Sequence, residues 1–311
     1  MTQIRGQLVP ARRPVDERLA GAPISWGACE VPGWGIMPAA ERVLAEMAEL
    51  GLRGTELGAP GFLPRDPETL DALLAEHHLA LVGGFTALVL HEPRIDAALE
   101  ELRQTARLFA SVGGEVIAFA VVSDREWSST RDLDADEWRR VDHNVQEIKA
   151  ELAEAGITLA LHPHWGTLIQ TAEQIEHALE ALDVGWCLDT AHLSLAGVDP
   201  SAFAREHGDR VVHVHLKDVD ASLAADLRAG TATLLSATRR GLFLPLGRGD
   251  AGIGAVLAAL DEHGYGRWLV LEQDTAITGD EPAGDRGPMR DAKQSIAFVE
   301  NSAPRTQEVN L

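Results

Sequence analysis

The feature that most constrains this chain is a rhythm: eight short apolar runs alternate with eight longer segments of helical character. The runs centre on PISW (23–26), RGTELG (53–58), LALVGGF (79–85), EVIAFAVV (115–122), ITLALHPH (157–164), VGWCLDT (184–190), RVVHVHLKD (210–218) and RWLVLEQ (267–273). A strand, a loop and a helix recurring at such intervals is the pattern of a parallel α/β sheet. Eight units favour a closed (β/α)8 TIM barrel over an open doubly wound sheet. Pro38, Pro67, Pro93 and Pro200 stand where first helical positions fall, and Asp66 and Asp199 are ready N-caps. No GxGxxG follows the first run, which argues against dinucleotide binding.

The 311 residues exceed the roughly 250 typical of one such barrel. The expected layout is an extension over 1–20, one barrel domain over 21–302, and a tail over 303–311. An insertion over 219–244 follows the seventh run, has helical character and carries the basic pair Arg239 and Arg240. A loop there hangs over the barrel mouth.

Charge narrows the partners. Lys and Arg number 27 against 48 Asp and Glu, a formal charge of -21. Phosphate binding needs clustered Lys and Arg, so nucleic acid and anionic membrane are not expected partners. Two cysteines are too few for a disulfide framework. The first 21 residues are charged and lack the apolar core of a signal peptide, and no apolar run is long enough to span a membrane. A cytoplasmic protein is the expectation, with a homo-oligomer as the candidate assembly.

A parallel strand covered by helices is apolar throughout, so polar residues at its C-terminal end stand out. Side-chain alternation decides which of them meet. In the fifth run, Leu159 and Leu161 face the helices and leave His162 and His164 pointing inward. In the seventh, Val212, Val214 and Leu216 share one face, leaving His213, His215 and Lys217 on the other. Glu272 ends the inward row of the eighth, Asp189 closes the sixth with His192 on the following turn, and Glu56 ends the second. A lone inward histidine is usually a satisfied core residue, and a lone terminal Asp is usually a helix N-cap. Four strands ending in His, Asp or Glu would bury too much charge to stand unpaired. One divalent metal (Mn, Co, Mg or Zn) compensates several carboxylates and orients neutral imidazoles at once.

These residues carry a resemblance. LHPHWGT (161–167), LDTAH (188–192), HVHLKD (213–218) and VLEQD (270–274) resemble the xylose-isomerase-like superfamily of sugar-phosphate isomerases and epimerases. APISWG, GTELG, HPHWGTLIQT and GLFLPLGRGD are most similar to the inosose (2-keto-myo-inositol) dehydratases within it. The resemblance implies metal ligation by Asp189, His215 and Glu272. His162 stands where the superfamily's isomerases place a ligating glutamate, and either His162 or His164 completes the coordination. Ala191 in LDTAH and the GWG of 33–35 depart from the dehydratase pattern.

The expected activity is a metal-dependent dehydration of a small polyhydroxylated ketone, such as a keto-cyclitol, through a metal-stabilised enolate. Proton-transfer candidates are His164, His162, Lys217 and Glu272, since imidazole titrates near working pH. Candidates for substrate contact are Glu56, His192, His213, Arg240 and Trp26. The alternative is a metal-dependent isomerase or epimerase of a ketose or keto-inositol, for which the missing fifth-strand glutamate is a handicap. A DNA-repair endonuclease relative and a non-catalytic barrel subunit rank lower.

Overall fold

The computed structural model describes residues 13–280, 282 and 286–302; the expected 303–311 tail and most of the 1–20 extension lie outside them. Eight parallel strands close into a barrel. They are β1 (Leu19–Gly21), β2 (Gly54–Glu56), β3 (Ala80–Leu88), β4 (Val116–Val121), β5 (Thr158–Leu161), β6 (Gly185–Asp189), β7 (Val211–Leu216) and, after the short β8 (Asp218–Val219) and β9 (Phe243–Leu244), β10 (Leu269–Leu271). The order around the barrel is β1-β10-β7-β6-β5-β4-β3-β2.

The helices are α1 (Ala40–Glu49), α2 (Pro67–Glu76), α3 (Asp96–Val112), α4 (Ala135–Glu154), α5 (Ala172–Ala181), α6 (Thr190–Leu195), α7 (Pro200–His207), α8 (Ala221–Arg228), α9 (Leu234–Arg239), α10 (Ile253–Glu262) and α11 (Pro288–Ser302). Their starts are chemically specified. Asp66 and Asp199 cap α2 and α7 with proline at the first turn. Asp134 and Glu137 form a capping box on α4. The apolar faces of the helices bury Leu, Ile and Val against the outside of the strands in one continuous core. No helix among the described residues is long and apolar enough to cross a membrane.

The first strand is a correction. PISW (23–26) is a 3₁₀ turn, and the strand is the preceding Leu19–Gly21, which pairs with Leu269–Leu271 and Gly54–Thr55. Pro23 has no N–H to give a ladder and starts the turn instead. The barrel therefore begins at Leu19, ahead of the expected border at residue 21. Gly54 in the neighbouring strand is obligatory: a Cβ there would lie 2.4 Å from Val82 Cγ1.

The insertion is a folded unit. Its ends pair as the antiparallel β8–β9, with α8 and α9 between them. The Asp218 carboxylate accepts the N–H groups of Gly247, Gly249 and Ala251, so it clamps the loop that follows. β8 begins one residue after Lys217, which ties this unit directly to the barrel mouth.

Candidate functional site

Strand alternation brings the polar ends of β5, β6, β7 and β10 together. Asp189 and His215 are register partners, as are His215 and Val270, and the Glu272 N–H continues the ladder to Leu216 O at 3.0 Å. The His162 N–H likewise extends β5 by donating to Phe119 O. Ligating atoms of Asp189, His215 and Glu272 lie within 4.8 Å of one another, as do those of His162, Cys187 and His215.

Main-chain partners fix the imidazoles. His162 Nδ1 donates to Pro163 O at 2.9 Å, so its Nε2 lone pair faces His215 Nδ1 at 3.1 Å and Asp189 Oδ2 at 3.6 Å. His215 Nε2 lies 3.1 Å from Glu56 Oε1, a pure acceptor, and so donates there. Its Nδ1 is left facing Glu272 Oε2 at 2.9 Å and Asp189 Oδ2 at 3.7 Å.

Asp189 divides its labour. Oδ1 caps α6 by accepting from His192 N at 2.8 Å, and Oδ2 is buried without a hydrogen-bond partner. Two lone pairs, an orphaned carboxylate oxygen and a second carboxylate therefore converge on one spot, and that donor set fits a divalent cation. Burial opposes charge on His215, but Cys187, Glu272 and Glu56 outweigh it and hold its pKa well above the ordinary value. Burial would raise the Glu272 carboxyl, yet His215 and Lys217 pull it to about 2. Asp189 is likewise held low against burial, chiefly by Lys217 and His192.

The fifth-strand histidines separate. His164 Nδ1 donates to Trp165 O at 2.8 Å, and Trp165 N–H donates to His192 Nδ1 at 3.1 Å. The main chain of one residue, through the N–H before its Cα and the carbonyl after it, thus sets both rings in opposite tautomers: His164 presents an acceptor Nε2, and His192 a donor Nε2–H. The rings lie 3.9 Å apart between centroids, and His192 Nε2 is buried with no protein partner. Burial first, then His162 and Lys217, push His164 down to about 3, and burial with His164 holds His192 well below its usual value. Both are neutral at physiological pH.

Several expected substrate contacts are placed elsewhere. Glu56 and His213 are buried one layer deeper, where Glu56 Oε1 bonds His213 Nε2 at 2.8 Å as well as His215. Burial would raise the Glu56 carboxyl, but the two imidazoles draw it far down. Lys217, an expected proton-transfer residue, is fully buried: its ammonium meets Glu272, Asp274 at 2.8 Å and Asp189 at 3.6 Å, and Phe243 of the insertion lies over it at 5.1 Å. These carboxylates outweigh burial and keep Lys217 charged, with Asp274 contributing most.

Trp26 is a core residue whose indole donates to Glu46 Oε2 at 2.8 Å. Arg240 is exposed and pairs with Asp226 within the insertion at 3.1 Å. Its neighbour Arg239 instead reaches the first loop through Gly33 O and Trp34 O.

Four residues escaped the sequence reading. Asp274, two residues past Glu272, completes the grip on Lys217, and burial against Lys217 leaves its carboxyl at about 6. An acidic residue at that spacing was its only signal. Trp165 acts through its main-chain N–H and carbonyl, which no side-chain pattern reveals. Phe85 and Trp127 stand beside His164 at 5.6 and 5.3 Å between ring centroids, brought there by β3 and the loop after β4.

Comparison with known proteins agrees with this architecture. Residues 44–301 match the xylose isomerase-like TIM barrel family. The chain is 30% identical over 266 residues to the rhizopine catabolism protein MocC of Rhizobium meliloti, covering 83% of this chain and 81% of that one. It is 30% identical over 275 residues to the inosose dehydratase of Geobacillus kaustophilus, covering 84% and 89%. The solved structure of IolI protein with a zinc atom superposes with a TM-score of 0.67 at 15% identity, over 93% of this chain and 100% of that chain. With its closed eight-stranded parallel barrel and a match that spans most of its length, this chain belongs to the xylose isomerase-like TIM barrel family.

Proposed function

We propose that the protein is a metal-dependent dehydratase of a keto-cyclitol such as an inosose. The observation that carries this reading is the pair of neutral imidazoles set in opposite tautomers by the main-chain N–H and carbonyl of Trp165. Dehydration beside a ketone needs an acceptor for the α-proton and a donor near the departing β-hydroxyl. His164 Nε2 takes the α-proton and then passes it to the departing hydroxyl, which His192 Nε2–H holds by a hydrogen bond, so that water leaves and His164 returns to its neutral form.

Asp189, His215, Glu272 and His162 would hold the cation, which supplies Lewis acidity where negative charge develops on the ketone oxygen. Glu56 and His213 orient His215 from below, and Lys217 with Asp274 positions Glu272. The inosose dehydratase relatives and the zinc in the IolI neighbour support the same reading.

The second reading, an epimerase, draws support from the fold shared with an L-ribulose 3-epimerase. Proton exchange on two opposite faces favours two free carboxylates. Here Asp189, Glu272 and Asp274 are all engaged with Lys217, and Asp189 and Glu272 also face His215. Incubating the metal-loaded protein with inososes and ketoses and following mass decides between them. Loss of one water from an inosose is expected; an isobaric product with no water loss would replace the dehydratase reading with the epimerase one.

A further inference from the structure

Barrel interiors are filled, yet Phe85 on β3 points its ring into the mouth and is 39% exposed, one of four large apolar side chains so exposed among the described residues. It lies 5.5 Å from the His162 ring and 5.6 Å from His164. Gly83 and Gly84 precede it in the strand, and its register partner on β4 is the small Ala118.

Trp127 closes the corner from the next loop. Its ring stands 6.2 Å from Phe85 at 58° and edge-on to His164 at 5.3 Å. Its backbone has φ 55, a left-handed conformation that costs a bulky residue energy. The loop enforces that conformation. Asp124 accepts from the N–H groups of Glu126 and Ser128 at 3.0 Å and from the hydroxyls of Ser123 and Ser128, while Trp127 N–H returns to Asp124 O at 3.2 Å. A strained tryptophan and a solvent-facing phenylalanine, both against the same histidine, make an apolar surface inside an otherwise charged mouth.

We infer that Phe85 and Trp127 form an aromatic corner that stacks on the C–H face of a cyclitol ring and so selects cyclic over open-chain polyhydroxy ketones. This rests on the keto-cyclitol reading above and narrows it. A six-membered ring with equatorial hydroxyls shows water a flat apolar face of axial C–H groups while its oxygens point outward at the rim. An open-chain polyol has no such face and must lose torsional freedom to imitate one. A ring seated on the corner carries its rim past His162 and His164, where the polar chemistry lies.

The test uses the full-length protein and two unreactive probes, myo-inositol and the open-chain hexitol sorbitol, titrated by calorimetry with and without divalent metal. Wild type is expected to bind the cyclitol at least about tenfold more tightly than the hexitol. Phe85→Ala and Trp127→Ala should each weaken cyclitol binding by about tenfold while hexitol binding moves less than about twofold. Asp124→Ala, which frees the loop without touching either ring, should do the same to a smaller degree; it also guards against misfolding of the tryptophan variant. Bound metal should be unchanged in all three, and KM for an inosose should rise more than kcat falls. Equal binding of the two probes by wild type, or retained cyclitol affinity in both ring variants, overturns the inference. If wild type prefers cyclitol and the variants lose that preference while no inosose is dehydrated, the corner stands and the proposed reaction falls. If inosose is dehydrated and the variants keep their KM and cyclitol affinity, the reverse holds.

Discussion

At the scale of single residues, His162 and His164 share a strand end yet face different tasks. His162 turns a lone pair to His215 and Asp189, whereas His164 turns one to the mouth beside His192. His162→Gln should therefore weaken metal binding at least about tenfold, as loss of a ligand or its support commonly does. His164→Gln should retain the metal and lose about 100-fold or more in kcat, the usual worth of a positioned base. Metal analysis of the purified variants beside single-turnover rates checks both, and a His164→Gln protein stripped of metal would reverse the roles. Lys217 gives a stability prediction. Lys217→Met leaves Glu272, Asp274 and Asp189 without their cation and should cost about 3–5 kcal/mol, measurable by urea unfolding. Divalent metal should recover part of that loss. The inward placement of His162, Asp189, His215 and Glu272 was legible because alternation along a strand has only two outcomes. The depth of Glu56, His213 and Lys217 was not, because alternation gives the face and says nothing of which layer is sealed by the next.

Among elements, α4 illustrates how local chemistry sets pH behaviour. Arg131 and the Asp134 N–H hold the Glu137 carboxyl at about 2, below the ordinary 4.5. A depressed carboxyl stabilises the fold above the ordinary value and loses that contribution as pH falls from about 4.5 towards 2. Glu137→Gln keeps the shape of the capping box and removes the charge. It should cost about 1 kcal/mol at pH 7, discounted because Arg131 is substantially exposed, and almost nothing near pH 2. Thermal melts of both proteins across that range measure the difference; a gap that persists at pH 2 would argue against the charge as its source. Most strands could be read from the sequence because each is a short apolar run between helix signals. β1 could not, since Leu19–Gly21 is three residues long and has its partners more than thirty residues away, while the neighbouring PISW has the composition of a strand and, through Pro23, the backbone of a turn.

For the whole molecule, a cation bound to four strands at once stabilises only the folded state. At a hundredfold excess over Kd the linkage amounts to about 2.7 kcal/mol, or roughly 5–10 °C in a domain of this size. Wild type should gain that on adding metal, and Asp189→Ala should not; equal shifts in both would place the binding elsewhere. The closed barrel was foreseeable from the count of eight units, and the insertion from the break in their rhythm. The pairing of β8 with β9 was not, because two residues on each side carry no periodicity. One arrangement bears on how such a protein can change over generations. The hydrogen-bond donor on His192 and the acceptor on His164 are assigned by the main-chain N–H and carbonyl of Trp165, with the carbonyl of Pro163 doing the same for His162. Side-chain mutation at those two positions leaves those groups in place, proline at 165 excepted because it deletes the N–H. A lineage is therefore free to reshape the walls of this pocket for new ligands while the assignment of donor and acceptor is inherited intact.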